Sequence, residues 1–241
     1  FSTTNSSQNT PLIRDTATPD YFSIYVGSDN NLKSKWNAVI RNEAAALLAT
    51  QHTITITCSG GNTNTYYVDG VQATTNGYNL YQNVTALQLA GYFTNATFHG
   101  VRVYNRALTA AEVSANHTYD QANHTPVTPA SEPVKTELAF WLDGQLNTGS
   151  GFDSAAASWT DLASGNNVSL TLGGNCAWDA AGKGLALKAD TSVTLPSSVT
   201  NAVKSGNYTV EIVVSGFSTT NSSQNTPLIR DTATPDYFSI Y

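Results

Sequence analysis

An internal duplication constrains this chain more than any other feature. Residues 1–25 read FSTTNSSQNTPLIRDTATPDYFSIY, and residues 217–241 read the same, letter for letter, at an offset of 216 positions. Diverged repeats share only patterns, so this identity indicates recent duplication, an engineered chain or a window on an array of identical repeats. The chain would then contain one repeat unit of 216 residues, followed by the first 25 residues of the next unit. Because it begins at Phe1 and contains no methionine, we expect it to be a segment of a longer reading frame.

A proline-containing stretch divides the period. Residues 121–134, QANHTPVTPASEPV, carry three prolines and almost no bulky apolar residues, a composition that favours extended chain. If this stretch is the linker between domains, residues 1–120 are the C-terminal part of one unit. Residues 135–241 are then the N-terminal part of the next unit. The natural unit is therefore present here in permuted order.

Short runs rich in β-branched and aromatic residues dominate the rest of the sequence. These runs are 21–26, 52–58, 65–70, 86–93, 99–105 and 208–214, and Gly-, Asn- and Ser-rich clusters separate several of them. Their spacing predicts an all-β antiparallel sandwich. Residues 36–50 fit a helix or a strand. One helix start is clear, because Thr109 and Glu112 form a capping box that predicts a short helix over 110–117.

Charge and motif content exclude several classes of function. The net charge of −6 argues against nucleic acid or an anionic membrane as a partner, and no apolar run is long enough for a transmembrane helix. Retaining glycosidases need two carboxylates about 5–5.5 Å apart. None of the five glutamates has a second carboxylate nearby on a strand, and Glu211 stands alone as a polar-face residue. No G-x-S-x-G element or triad-like histidine spacing occurs, so we expect no catalytic residues and no enzyme.

Other polar residues suggest a metal site and modifications. Asp143, Asn147 and Asp153 place hard oxygen ligands on a Gly-rich loop, which makes calcium a candidate cofactor, although the same residues are ordinary in turns. Cys58 and Cys176 either pair or remain buried thiols. The N-x-S/T acceptors for glycosylation are Asn5, Asn83, Asn95, Asn116, Asn123, Asn167 and Asn207, with Asn221 in the second copy. Low charge and many Ser, Thr and Asn residues suit an extracellular surface.

Three stretches resemble a known family. They are residues 138–172 with Trp159, Asp161 and Asn166, residues 63–72 with the Asp-Gly hairpin, and FHGVRVYNRALTAAEVSANH at 98–117. Together they resemble the laminin-G-like, concanavalin A-type jelly rolls of bacterial surface proteins. The resemblance implies an antiparallel jelly-roll β-sandwich with one short helix, located outside the cell. In the closing signature, Arg102 and Arg106 are expected to be structural. One departure is Gln51-His52, where the family often has Trp.

The duplication and the resemblance together suggest a structural protein. We expect tandem identical domains in an extracellular fibre, stalk or adhesin, with neighbouring copies as partners and no membrane insertion. The duplicated segment, bounded by Phe1 and Tyr25 and by Phe217 and Tyr241, is the candidate assembly segment. One sandwich is expected to hold only one copy of it. The alternatives are a lectin-like module that binds a glycan or protein through rim loops, and an engineered permutant.

Overall fold

The structure, a computed structural model, describes residues 22–26, 32–36, 39–44, 50–77, 87–90, 94–124, 132–189, 191–216, 229–231 and 239–240. Two helices, α1 (Ala110–His124) and α2 (Ser197–Lys204), accompany the strands, and Gly144–Leu146 form a 3₁₀ turn. In chain order the strands are β1 (Phe22–Val26), β2 (Leu32–Trp36), β3 (Val39–Ala44), β4 (His52–Ser59), β5 (Thr63–Val68), β6 (Val71–Asn76), β7 (Leu87–Ala90), β8 (Thr94–Tyr104), β9 (Leu138–Asp143), β10 (Ser158–Thr160), β11 (Asn167–Ser169), β12 (Cys176–Asp179), β13 (Gly184–Ala189), β14 (Ser192–Thr194), β15 (Tyr208–Ser215), β16 (Ile229–Asp231) and β17 (Ser239–Ile240).

The larger sheet mixes strands from before and after the proline-containing stretch. Its order is β12-β13-β8-β15-β4-β5-β6, and all of its described pairings are antiparallel. Strand β8 pairs with β15 along one edge. Along its other edge it pairs first with β13, through Thr94–Phe98, and then with β9, through Gly100–Tyr104. A strand from the first part of the chain is therefore enclosed by strands from the second part.

The smaller sheet has the order β14-β7-β16-β17-β1-β2-β3, and β10 pairs with β11 in a separate ladder. The pairing of β1 with β17 is parallel, whereas the other described ladders of this sheet are antiparallel. The hydrophobic core lies between the two sheets, because Ile54, Val101 and Ile212 of the larger sheet share one buried cluster with Leu89 and Val193 of the smaller. This architecture fits an all-β jelly-roll sandwich.

Side chains of the larger sheet alternate between its two faces, and both faces are buried, one by the core and the other by α1. On β4, Ile54 and Ile56 enter the core, whereas the alternating Thr53 and Thr55 belong to the opposite face, on which α1 packs. Glu211 of β15 lies on this helix-side face and is fully buried there. Glu211 therefore lies on the polar face of its strand, as predicted, and α1 covers that face and buries the side chain.

The helices differ from the sequence-based expectation. Helix α1 continues to His124 rather than ending at residue 117, because the Tyr119 and Asp120 side chains are buried and anchor its last turns. Helix α2 was not predicted. It starts directly after Pro196 and buries Val199, Ala202 and Val203 at helical spacing. The ambiguous stretch 36–50 contains strand β3.

The proline-containing stretch is docked at both ends. Residues 121–124 belong to α1, and Val134 packs against the small cluster that Tyr67, Tyr104, Leu108 and Val113 form. The backbone N–H of Val134 donates to Oδ1 of Asn116 at 2.8 Å. The part of the connection outside the described residues is therefore 125–131. The assignment of 121–134 as an inter-domain linker stays a prediction.

Candidate functional site

The two copies of the duplicated segment lie side by side in the smaller sheet. Strand β1 comes from the first copy, and β16 and β17 come from the second. Ile24 pairs in parallel with Ile240, the same position in the two copies. The expectation that one sandwich holds a single copy was therefore wrong for these strands. An open sheet accepts one more strand when its neighbours offer matching hydrogen bonds.

The register makes the two copies equivalent at this position. Ile240 pairs with Ile229 of β16 in antiparallel orientation, and Ile24 pairs with Ser34 of β2. Because β1 and β17 run in the same direction, either strand offers the same backbone groups to β16 and to β2. Of the candidate assembly residues, Tyr25 lies in β1, whereas Phe1, Phe217 and Tyr241 lie outside the described residues.

A buried polar cluster fixes α1 to the larger sheet, and we call it the helix-side cluster. The Arg102 guanidinium donates through Nη1 and Nη2 to the two carboxylate oxygens of Asp120, both at 2.7 Å, and through Nε to Oε2 of Glu211 at 2.9 Å. The Asn116 amide donates to Oε2 of Glu211 at 2.6 Å, and Thr55 Oγ1 donates to Oε1 at 3.1 Å. One guanidinium therefore joins β8, α1 and β15.

The electrostatics of the helix-side cluster follow from its burial. Arg102, Asp120 and Glu211 are each at most 2% exposed. Burial by itself lowers the pKa of Arg102, but the charges of Asp120 and Glu211 outweigh it and hold this pKa well above its usual range. Burial raises the pKa of Glu211 against the opposing effect of Arg102. Solvent has no access to these carboxylates, so the cluster is suited to holding elements together.

The start of α1 confirms the predicted capping box. The backbone N–H of Thr109 donates to Oε2 of Glu112 at 2.9 Å, and the backbone N–H of Glu112 donates to Oγ1 of Thr109 at 3.3 Å. Arg106 donates to both carboxylate oxygens of Glu112, at 2.6 and 2.8 Å. This hydrogen-bonded partner lowers the pKa of Glu112 to about 2.

Comparison with known proteins identifies the superfamily. A family model described as the concanavalin A-like lectin/glucanases superfamily, Laminin_G_3, matches residues 1–114. Over these residues the chain is similar to this superfamily. The match and the antiparallel sheets together confirm the laminin-G-like resemblance and the all-β jelly-roll fold. Searches of curated proteins and of solved structures found no match.

The matched concanavalin A-like residues include β8 and the first residues of α1, and laminin-G-like domains are typically extracellular. In the part of the chain that the structure describes, no helix is both long and apolar enough to span a membrane.

The candidate calcium ligands form hydrogen bonds within the protein. Asp143 accepts from the backbone N–H of Gln145 at 2.8 Å and from the Tyr119 hydroxyl at 3.0 Å. The Asn147 amide bonds both the carbonyl and the N–H of Asp153, at 2.8 and 2.9 Å. Asp153 accepts from the N–H of Ala155 through its side chain. These bonds close the loop as ordinary turn chemistry does.

The oxygens of Asp143, Asn147 and Asp153 already accept hydrogen bonds from the protein. Among the described residues, no group of three His, Cys, Asp or Glu side chains is placed to hold a metal ion. Calcium binding by Asp143, Asn147 and Asp153 stays a prediction.

The structure has Cys58 and Cys176 as free, buried thiols rather than a disulfide. Burial raises the pKa of Cys58 to about 11, and it also raises the pKa of Cys176. His99 is buried as well, with its ring nitrogens 2.9 Å from the Gly182 carbonyl and 2.7 Å from Ser215 Oγ.

The candidate glycosylation sites differ in accessibility. Asn167 and Asn207 are exposed. Asn116 is fully buried in the helix-side cluster, so a glycan there is incompatible with the folded domain, and this candidate is corrected. Asn95 and Asn123 lie in β8 and α1, with only their backbone described, and Asn5, Asn83 and Asn221 lie outside the described residues.

A groove of about 460 Å³ separates β11 from β14. Its polar lining includes Asn167, Ser169, Thr171, Ser192 and Thr194. Its described lining contains no aromatic side chain and no group charged at neutral pH.

Sequence reasoning missed Asp120 and Asn116 as partners of Arg102 and Glu211. Their four-residue spacing along a capped helix was a usable signal, because positions i and i+4 lie on one helix face. Which strand that face covers depends on the strand order of the sheet, for which the sequence offers no local sign.

Proposed function

We propose that this laminin-G-like protein is an extracellular structural or adhesive repeat domain that associates with other copies of itself through the duplicated segment. One observation carries the proposal: Ile24 and Ile240, the same position in the two copies, pair in register in one sheet. Because β1 and β17 run in the same direction between β16 and β2, we infer that the position beside β16 accepts either copy, and a copy from a neighbouring chain offers the same sequence.

Connectivity decides which copy fills the position. A segment on the same chain has an effective concentration on the order of millimolar when its connection reaches, so the closed arrangement prevails in dilute protein. In a tandem array, or at high local concentration, neighbouring units supply the same segment. Exchange then links domains without requiring any new surface.

The proposal assigns no catalytic role. Among the residues that the structure describes, the Asp120 and Glu211 carboxylates share Arg102 as a partner, and both are buried and therefore inaccessible to a sugar. Glycoside hydrolysis needs two carboxylates that flank a bound substrate. The closed helix-side cluster supports a mechanical role for these residues.

The experiment is a truncation with a matched control. Residues 1–216 lack the second copy, and the control is the full-length chain with residues 217–241 scrambled. Molar mass is measured by light scattering after size-exclusion chromatography over a hundred-fold range of concentration. We expect the intact chain to form larger species as concentration rises and both variants to remain monomers. If the truncated chain associates as strongly as the intact one, the duplicated segment is not the means of assembly.

A second candidate function is recognition of a glycan or protein, which the uncharged, hydroxyl-lined groove between β11 and β14 supports. A glycan array probed with the intact chain, with and without a calcium chelator, tests it. Binding that Thr171→Lys and Thr194→Lys abolish would place the ligand in this groove. Binding that only the chelator abolishes would favour the loop of Asp143.

A further inference from the structure

The groove between β11 and β14 lies between two strands that are not paired with each other. Strand β14 ends the smaller sheet and pairs with β7, whereas β11 pairs with β10 in a separate ladder. The Cα atoms of β11 and β14 come within 8 Å of each other at their nearest, compared with about 5 Å in a ladder. Within the described part of the chain, each strand therefore has one unpaired edge beside the groove.

The register shows which backbone groups of β14 lie on its unpaired edge. The N–H of Leu195 donates to the carbonyl of Leu87 in the strand beside it, so these two residues form a hydrogen-bonded pair. Such pairs alternate along an antiparallel ladder, so Val193 also bonds toward β7. Ser192 and Thr194 therefore direct their backbone N–H and C=O groups away from β7. Both residues line the groove.

Strand β11 has the same alternation. The N–H of Leu170 donates to the carbonyl of Ala157, just before β10, so Val168 is the next residue that bonds toward β10. Asn167 and Ser169 direct their backbone groups away from β10, and they also line the groove. Unpaired backbone donors and acceptors are thus present on both walls.

The side chains make the groove apolar at its floor and hydroxyl-rich at its walls. The floor consists of the alternate, buried aliphatic side chains of the two strands. Leu172, next to the lining, is one of two exposed large hydrophobic side chains among the described residues. The lining has no charged group and no aromatic ring on which a sugar could stack. Four exposed hydroxyls form no hydrogen bond within the described part of the chain, those of Ser169, Thr171, Ser192 and Thr194.

From these features we propose that the groove binds an extended, uncharged peptide, which adds a strand to the edge of β14. The backbone groups of Ser192 and Thr194 pair with the peptide, and an apolar peptide side chain packs beside Leu172. A strand fills about 160 Å³ per residue, given its rise and the spacings between strands and sheets. The groove of about 460 Å³ therefore holds about three residues, the length of β14. This inference rests on the second candidate function and selects a peptide rather than a glycan.

The spacing of the two strands adds a requirement. A strand that fits between β11 and β14 needs about two strand spacings, or about 9.6 Å, from one edge to the other. Because their nearest approach is under 8 Å, β11 has to move outward by about 2 Å where the strands are nearest. The ladder of β10 and β11 belongs to neither sheet, so this movement breaks no described ladder.

The test is a synthetic library of capped hexapeptides with Ser, Thr, Ala, Val or Leu at each position. The intact, isotope-labelled chain is titrated with the selected peptides and its amide signals are followed by NMR. We expect saturating shifts of the Ser192 and Thr194 signals, with smaller shifts in β11. The same peptide with every backbone nitrogen methylated keeps its side chains but has no donors, and should bind at least about ten-fold more weakly. No binding from the library, or equal binding of the methylated peptide, would overturn the proposal.

A pair of variants checks the position. Thr194→Lys places a charge in the groove, and Thr75→Lys is the matched control, because Thr75 is exposed on β6 and outside the lining. The peptide should fail to bind the first variant and bind the second unchanged. Equal effects of the two variants would contradict the proposal. If Thr194→Lys does not fold, the shifts in the unaltered chain decide, and largest shifts outside 167–171 and 191–196 count against it.

The outcomes also separate this inference from the functions proposed above. A glycan that shifts the groove signals while every peptide fails would support the second candidate function and overturn the peptide inference. No residue of the described lining belongs to the duplicated segment, so the result is independent of assembly through that segment.

Discussion

The two sheets of this domain specify their strand order in different ways. In the larger sheet each strand has a unique sequence, and a buried guanidinium joins β8 to both α1 and β15. In the smaller sheet, β1 and β17 repeat one sequence, and the described pairing places equal residues opposite each other. Side-chain chemistry therefore selects one arrangement in the first sheet, whereas chain connectivity selects among equivalent arrangements in the second. The larger sheet is suited to stability and the smaller to exchange.

The largest expected effect comes from breaking the helix-side cluster. Arg102→Met leaves Asp120 and Glu211 buried without their cation, so we expect the free energy of unfolding to fall by about 3–5 kcal/mol. Urea denaturation monitored by circular dichroism measures this change. Arg106→Met is the matched control, since its partner Glu112 is partly exposed, and it should cost at most about 1 kcal/mol. If the two variants lost similar amounts of unfolding free energy, the buried cluster would be no more important for stability than the exposed ion pair.

The second effect tests whether the two copies replace one another. Proline removes a backbone donor from the ladder, and the acceptor left without a partner costs about 1–3 kcal/mol. We expect Ile24→Pro and Ile240→Pro each to lower the free energy of unfolding by less than about 1 kcal/mol, because the unaltered copy can then lie alone between β16 and β2. The double variant should lose about 3 kcal/mol, more than the sum of the two. Additive losses from the single variants would show that both copies are needed and are not interchangeable.

The smallest effect lies at the first turn of α1. The pKa of Glu112 is about 2 in the folded protein, below its usual value of 4.5, so this carboxylate stabilises the fold above about pH 4.5 and ceases to do so as the pH falls toward 2. Because the pair with Arg106 is partly exposed, we expect a contribution of about 1 kcal/mol. Urea denaturation from pH 2 to 6 should show a weaker pH dependence for Glu112→Gln than for the unaltered chain. An identical dependence would contradict the assignment.

Sequence reasoning predicted the elements well where the signal was local. Alternating runs at 52–58 and 208–214 became β4 and β15, and Thr109 and Glu112 formed their capping box. It was less successful where a residue's surroundings depend on contacts between distant parts of the chain. The burial of Glu211 depends on a helix that comes from the other part of the chain, and no neighbour in sequence reveals it. The parallel pairing of the duplicated strands was likewise unforeseen, because identical segments contain no information about their order.

The most direct measurement of the central claim is cysteine cross-linking between chains. Ile24→Cys and Ile240→Cys are made in separate chains, because parallel neighbours opposite each other lie within the range that a disulfide spans. Cys58 and Cys176 are buried, and the pKa of Cys58 is about 11, so the native thiols should remain unreactive. On oxidation of the mixture at rising concentration, the account predicts disulfide-linked dimers that contain one chain of each kind. The two variants in one chain should link internally at low concentration. Internal linkage without any mixed dimer, even at the highest concentration, would contradict exchange of the duplicated segment between copies.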